Sequence, residues 1–153
     1  MLLIERKTGK TYKGAIEQLR QSEILKLEKH SSFEFDWSKT KDYEVFKIFR
    51  VGEEEILGLV AILDIPKELR VHLHLIEISK ENRGKNKQIE NLAACLFAFV
   101  CKQSFQKGYG GFVSLFPKTE LITYYREQYG FQQIGNQMAI FSEASQSLID
   151  KYL

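Results

Sequence analysis

Between about Gly14 and Lys29, Ile16, Leu19, Ile24, Leu25 and Leu27 recur among charged residues at close to helical spacing, which predicts an amphipathic helix. Tyr43 to Val51 instead alternates apolar and polar side chains. Gly52-Glu53-Glu54-Glu55 interrupts the alternation and Ile56 to Ile65 resumes it, so an antiparallel hairpin is predicted, followed by a strand over Val71 to Ser79. The period then changes. Ile89, Leu92, Ala93, Leu96, Val100 and Cys101 fit one helix face, and Leu96-Phe97-Ala98-Phe99 makes the middle of that helix apolar nearly all round, as for a helix buried between two layers. Gly108 is placed to stop it. A strand over Phe112 to Phe116, a shorter helix over Lys118 to Gln128 and strands over Phe131 to Ile134 and Met138 to Phe141 complete the pattern, the last two joined at Gly135-Asn136. A closing helix runs from about Glu143 to Tyr152. Both prolines, Pro66 and Pro117, stand where an apolar strand should end.

Composition narrows the class without naming a function. A chain of 153 residues with no repeat, low-complexity stretch or linker is expected to form a single domain over 1–153. It buries roughly 70% of its unfolded surface and needs no disulfide or metal as a staple. The formal charge of +2 is too small to imply nucleic-acid binding by itself, so any basic site must be local. Cys95 and Cys101 sit six residues apart in the apolar helix, on different faces, and are expected to be buried thiols of a reducing compartment. The N-terminus has no signal-peptide pattern, and the apolar run from Leu92 to Cys101 is about half the length needed to span a bilayer. A cytoplasmic protein without membrane association is expected.

The segment with the most chemical content is 75–88, where a β-branched strand runs into Lys80-Glu81-Asn82-Arg83-Gly84-Lys85-Asn86-Lys87-Gln88 and then straight into the long helical pattern beginning near Ile89. A turn that ends at a helix N-terminus presents unpaired N–H groups and the positive end of the helix dipole. Arg83, Lys85 and Lys87 add formal charge beside it, as a pyrophosphate cradle requires. The same residues also suit a solvated basic turn.

Together with Tyr124-Tyr125 and Gly130-Phe131, this segment resembles the acetyl-coenzyme A site of the GCN5-related N-acetyltransferase (GNAT) superfamily. The family motif runs Arg or Gln, two residues, Gly, one residue, Gly or Ala. Arg83 and Gly84 match its common Arg-Gly-x-Gly-x-Gly/Ala form, with Asn86 in place of the central glycine and Gln88 in place of the terminal one. Family members also carry an aromatic-rich helix that ends in a tyrosine shortly before Gly-Phe. The resemblance covers roughly 42–141. It implies an α/β acyl-coenzyme A N-acyltransferase fold, a mixed, mostly antiparallel sheet with flanking helices and a splayed parallel pair, here 71–79 and 112–116.

The implied chemistry is direct transfer of an acetyl group from acetyl-coenzyme A, as co-substrate, to a primary amine. Ile76 and Ile78 of the first splayed strand and Arg83, Gly84, Lys85, Asn86, Lys87 and Gln88 of the turn would bind the cofactor. Tyr125 is favoured over Tyr124 as the acid that protonates the departing thiolate. Glu77 is the candidate base, with a salt-paired glutamate as the alternative. His72 and His74 share one side of a strand; without an identifiable third ligand they suit lining of the acceptor groove or a proton relay better than metal. Asp36 and Trp37, with His74, are the candidate acceptor-binding residues. The acceptor itself is open among small amines, peptide or protein amines and aminoacyl-tRNA, in a bacterial protein, with a homodimer as an open alternative. A non-catalytic acyl-coenzyme A binding module is the rival reading.

Overall fold

In the computed structural model, which describes residues 1–27 and 32–153, the strands form one sheet in the order β6-β1-β2-β3-β4-β5-β7-β9-β8. The strands are β1 (Leu2–Glu5), β2 (Thr11–Gln18), β3 (Glu44–Arg50), β4 (Gly58–Ile65), β5 (Arg70–Ile78), β6 (Ile89–Glu90), β7 (Val113–Leu115), β8 (Gln132–Ile134) and β9 (Gln137–Ile140). The helices are α1 (Gln21–Lys26), α2 (Leu92–Gln106), α3 (Ile122–Tyr129) and α4 (Ser142–Tyr152). Every pairing is antiparallel except β5 with β7. This is the mixed, mostly antiparallel α/β architecture that the resemblance implies.

One prediction is corrected near the N-terminus. The segment from Gly14 to Lys29 is not one helix: β2 occupies Thr11–Gln18 and only Gln21–Lys26 is α-helical, while Glu28 and Lys29 lie outside the described residues. Ile16 packs on one core while Leu19, Ile24 and Leu27 pack in another, so the apolar positions serve two elements on two sides of the sheet. Their combined spacing imitates a helix.

The sheet separates these two cores. Val60, Ile62, Val71 and Leu73 face α2, whose Leu96, Phe97 and Val100 are buried against them. Leu59 and Ala61 face the opposite side, toward Leu19, Ile24 and Trp37. Alternation along β4 explains the division. Along β5 the alternation reverses partway. Ala61 opposes Leu75 and Ile62 opposes Leu73, which leaves His74 without an opposite residue, a β-bulge. Before it, odd-numbered Val71 and Leu73 face α2; after it, even-numbered Ile76 and Ile78 do. Leu75 and Glu77 are thereby turned to the Trp37 side.

The parallel pair opens just beyond this point. β5 and β7 are in register from Val71–Val113 to Leu73–Leu115, after which β7 ends and β5 continues to Ile78. The Ser79 N–H donates to the Leu57 carbonyl. Donors alternate sides along a strand, so Ile76 and Ile78 direct their backbone polar groups away from β4, into the fork. Pro117 follows close behind and cannot donate to a continued ladder.

Candidate active site

The long helix does not begin at the cationic turn. After β5, residues Lys80–Asn82 and Gly84–Asn86 form single 3₁₀ turns and Ile89–Glu90 pairs with β1, before α2 starts at Leu92. The excursion is held to β1 by Arg6, whose N–H donates to the Gln88 carbonyl at 2.8 Å and whose guanidinium pairs with Glu90 at 3.3 Å. The residue preceding α2 is Asn91, with φ +63° and ψ 19°, the left-handed conformation that Asn tolerates better than most residues. The helix's first backbone bond runs from Cys95 N–H to the Asn91 carbonyl. The N–H groups of Leu92, Ala93 and Ala94 therefore have no carbonyl in the preceding turn to receive them.

The motif pattern is also met five residues later. Gln88-Ile89-Glu90-Asn91-Leu92-Ala93 satisfies Gln, two residues, glycine position, one residue, Ala, with Asn91 in the glycine's left-handed place. The expectation that Asn86 keeps a left-handed turn is corrected: in that stretch Gly84 and Asn91 have positive φ, and Asn86 does not. Ala93 in the later register stands where the pattern has Gly or Ala. Arg83 and Gly84, which match the motif in the earlier register, line the groove as well.

A groove of about 410 Å³ lies along the open end of α2. Ile76, Ile78, Arg83, Gly84 and Lys87 line it from the β5 side, with Asn91, Ala93 and Ala94 at the helix end and Tyr124, Tyr125 and Tyr129 opposite. Of the turn residues expected to bind cofactor, Lys85, Asn86 and Gln88 line instead an adjoining cavity of about 700 Å³ with Arg6, Lys7 and Arg50. Lys87 and Ile89 border both spaces. Arg50 lies over the Tyr12 ring at 4.8 Å; its Nε makes no hydrogen bond and stands 3.7 Å from Glu53.

On the far side of the fork is a pocket of about 170 Å³ lined by Phe35, His74, Phe116, Lys118 and Tyr125, among others. Tyr125 borders both the groove and this pocket, whereas Tyr124 borders the groove alone. The Tyr125 ring stands edge-on to Phe97 at 5.5 Å, and burial raises its phenol above the ordinary range, with Tyr124 adding to the shift. Gly130, with φ +86°, caps α3 so that Phe131 turns into the core beside Phe97.

Three expected site residues have other work. Trp37 is 1% exposed, a member of the second core, and its indole N–H donates to Glu77 at 2.8 Å. The Glu77 carboxylate also accepts the N–H groups of Glu34 (2.6 Å) and Phe35 (3.3 Å), with Arg83 at 4.0 Å. Trp37 is thus withdrawn from any acceptor, and Glu77 ties the 33–37 segment to β5. Asp36 caps the 3₁₀ turn Trp37–Thr40 by accepting from Ser38 N–H and hydroxyl, which hold its carboxyl below the usual range. Arg83 reaches over to Glu34 at 3.4 Å, joining the turn to the same segment.

His74, by contrast, lines the fork pocket and stacks on Tyr43 with centroids 4.0 Å apart and planes 3° from parallel. His72 meets Ser114 at 2.9 Å and Arg70 at 3.4 Å; burial, Arg70 and His74 all lower its pKa. Among the described residues no group of three His, Cys, Asp or Glu side chains could hold a metal ion, and no helix is long and apolar enough to cross a membrane. Cys95 and Cys101 are buried, and burial pushes both thiols up to about 11.

No family model matches the sequence and no curated protein matches it significantly. Solved structures do. Mutant forms of the spermidine/spermine N-acetyltransferase SpeG from Vibrio cholerae align over 90% of this chain and 97% of theirs, with 13% identity and a TM-score of 0.62. AtaT, complexed with acetyl-methionyl-tRNAfMet, aligns over 89% and 99%, with 15% identity and a TM-score of 0.58. Tetrahymena GCN5 aligns over 68% and 71%, with 9% identity and a TM-score of 0.52. The chain has the fold of the GCN5-related N-acetyltransferases.

Proposed function

We propose that this protein is an N-acetyltransferase that uses acetyl-coenzyme A and acetylates a primary amine. The observation that carries the reading is the position of Tyr125, shared by a groove that ends on the open N–H groups of α2 and a pocket on the other side of the β5/β7 fork. The residues fit the coenzyme. Leu92, Ala93 and Ala94 offer N–H donors at the positive end of a 15-residue helix, a natural pyrophosphate seat. Lys87 and Lys85, in the adjoining cavity with the Glu90-paired Arg6, would supply positive charge for the adenosine phosphate. Ile76 and Ile78 offer backbone partners for the extended pantetheine.

Bound coenzyme supplies an activated acyl thioester, and transfer exchanges its C–S bond for a C–N bond. The protein positions the amine, removes one of its protons to solvent and delivers a proton from Tyr125 Oη to the sulfur, after which solvent restores the phenol. A phenol whose pKa is raised by burial is protonated at neutral pH and so ready to donate. Glu77 does not serve as base in this reading, because three N–H donors occupy its carboxylate and hold it on the Trp37 side.

Acceptors of relatives with this fold include spermidine and spermine, and one relative binds acetylated methionyl-tRNA. Peptide and aminoacyl amines therefore stand beside small amines for this chain. The test is a thermal shift with acetyl-coenzyme A followed by thiol release with pooled amines. Ligand at 100 times its dissociation constant adds about 2.7 kcal/mol to stability. A shift with amine-dependent release is expected. A shift without release would favour the non-catalytic binding module, and no shift at millimolar coenzyme would remove both.

A further inference from the structure

We infer that the acceptor is a primary amine carried on one aromatic or similarly bulky apolar group, with no second positive charge. The inference rests on the reading of the fork as the transfer site, and its chemistry comes from the pocket on the far side of it.

The pocket walls are apolar and ringed. Phe35 and Phe116 stand at its mouth, 45% and 60% exposed, a cost in water that binding of an apolar body would relieve. His74 forms another wall, and its parallel stack on Tyr43 fixes a flat π surface rather than a mobile side chain. His72 meets Phe116 edge-on at 5.4 Å and orients that ring as well. The volume of about 170 Å³ suits a single ring, since an engineered apolar cavity of roughly 150 Å³ accepts benzene.

Charge excludes the competing class. Among the described residues no carboxylate lines the pocket, and the one formal cation that does is Lys118, which sits 5.9 Å from the Phe35 ring centre. The acids of the 33–37 segment and β5 are committed: Glu77 to three N–H donors, Glu34 to Arg83 and Asp36 to Ser38. Glu120, in the turn after Lys118, does not line the pocket. A polyamine would bring a second ammonium toward Lys118 with no counter-charge in the described lining, which like-charge repulsion disfavours. An arylalkylamine presents one nitrogen to the fork and a ring to the walls.

The experiment compares 2-phenylethylamine with spermidine in two readouts: kcat/KM by thiol release, and equilibrium binding to the protein saturated with coenzyme A, by titration calorimetry. Phenylethylamine is expected to exceed spermidine at least tenfold in both. Phe116→Ala, at an exposed position, should cut phenylethylamine binding at least fivefold while leaving the acetyl-coenzyme A thermal shift unchanged, and Lys118→Glu should narrow the gap between the two amines. Equal or tighter spermidine binding, or indifference to Phe116→Ala, overturns the inference even where acetyl transfer is observed. Selective phenylethylamine binding without thiol release would support the pocket's ligand class and overturn the catalytic reading instead.

Discussion

The indole N–H of Trp37 donates to the Glu77 carboxylate at 2.8 Å, forty residues away in sequence and sealed from solvent on the inner side of the sheet. This contact joins the irregular segment after α1 to the strand that forms the fork, and it exists because the bulge at His74 turns Glu77 away from α2. Glu77→Ala would leave Trp37 Nε1 and the N–H groups of Glu34 and Phe35 without an acceptor. Loss of a buried charged acceptor of this kind costs about 3–5 kcal/mol. Urea unfolding should show that loss. A catalytic base would instead give normal stability with lowered turnover, so a Glu77→Gln variant of near wild-type stability that loses turnover a hundredfold or more would restore the base assignment.

Asn91 gives the second prediction. Its left-handed backbone is what opens the Leu92–Ala94 donors to the groove, and glycine adopts it without strain. Asn91→Gly should retain or tighten acetyl-coenzyme A binding, whereas Asn91→Val, β-branched at φ +63°, should lose both stability and the coenzyme thermal shift. Asn86→Gly should leave the shift unchanged, because Asn86 lines the adjoining cavity and has no left-handed backbone to preserve. A gain from Asn86→Gly with none from Asn91→Gly would return the phosphate site to the turn.

These two residues mark what the sequence made legible. Element order from Tyr43 onward could be read, apart from the two-residue strand at Ile89–Glu90, because each longer segment keeps one dominant period. The N-terminal forty residues could not, since Ile16 and Ile24 face different cores on opposite faces of the sheet. The doublet Leu75-Ile76 in an otherwise alternating strand was the local trace of the bulge, and with it the side to which Glu77 turns. Trp37 was misplaced for a different reason. An aromatic beside acids looks like a ligand site, and only tertiary structure supplies the buried carboxylate that draws its indole inside.

The cysteines predict a pH effect with a definite sign. Burial pushes the Cys95 and Cys101 thiols up to about 11 in the folded state, above the ordinary value near 9. A raised folded pKa means that the unfolded chain releases its protons first. The contribution to stability is therefore complete below about pH 9 and is lost as pH rises toward 11. Denaturant midpoints should fall across that window, and Cys95→Ala with Cys101→Ala should flatten the fall. Folded protein should also resist a thiol reagent at pH 8 until it unfolds.

Tyr125 and Tyr124 are adjacent on α3, and only the first borders both sides of the fork. Tyr125→Phe should preserve the coenzyme thermal shift and lower turnover by about 10²–10⁴, the worth of a positioned proton donor. Tyr124→Phe should change turnover little, because about 100° of helix rotation separates the two side chains. The pH profile supplies an independent check. Burial raises the Tyr125 phenol, so the acid stays protonated through neutral pH, and an alkaline fall in turnover due to its ionisation should appear only above the ordinary tyrosine value of about 10. Equal activity in the two phenylalanine variants would eliminate a tyrosine acid and leave solvent to protonate the sulfur. Loss of folding in Tyr125→Phe alone, without a turnover defect in the folded fraction, would make the ring a packing partner of Phe97 and nothing more.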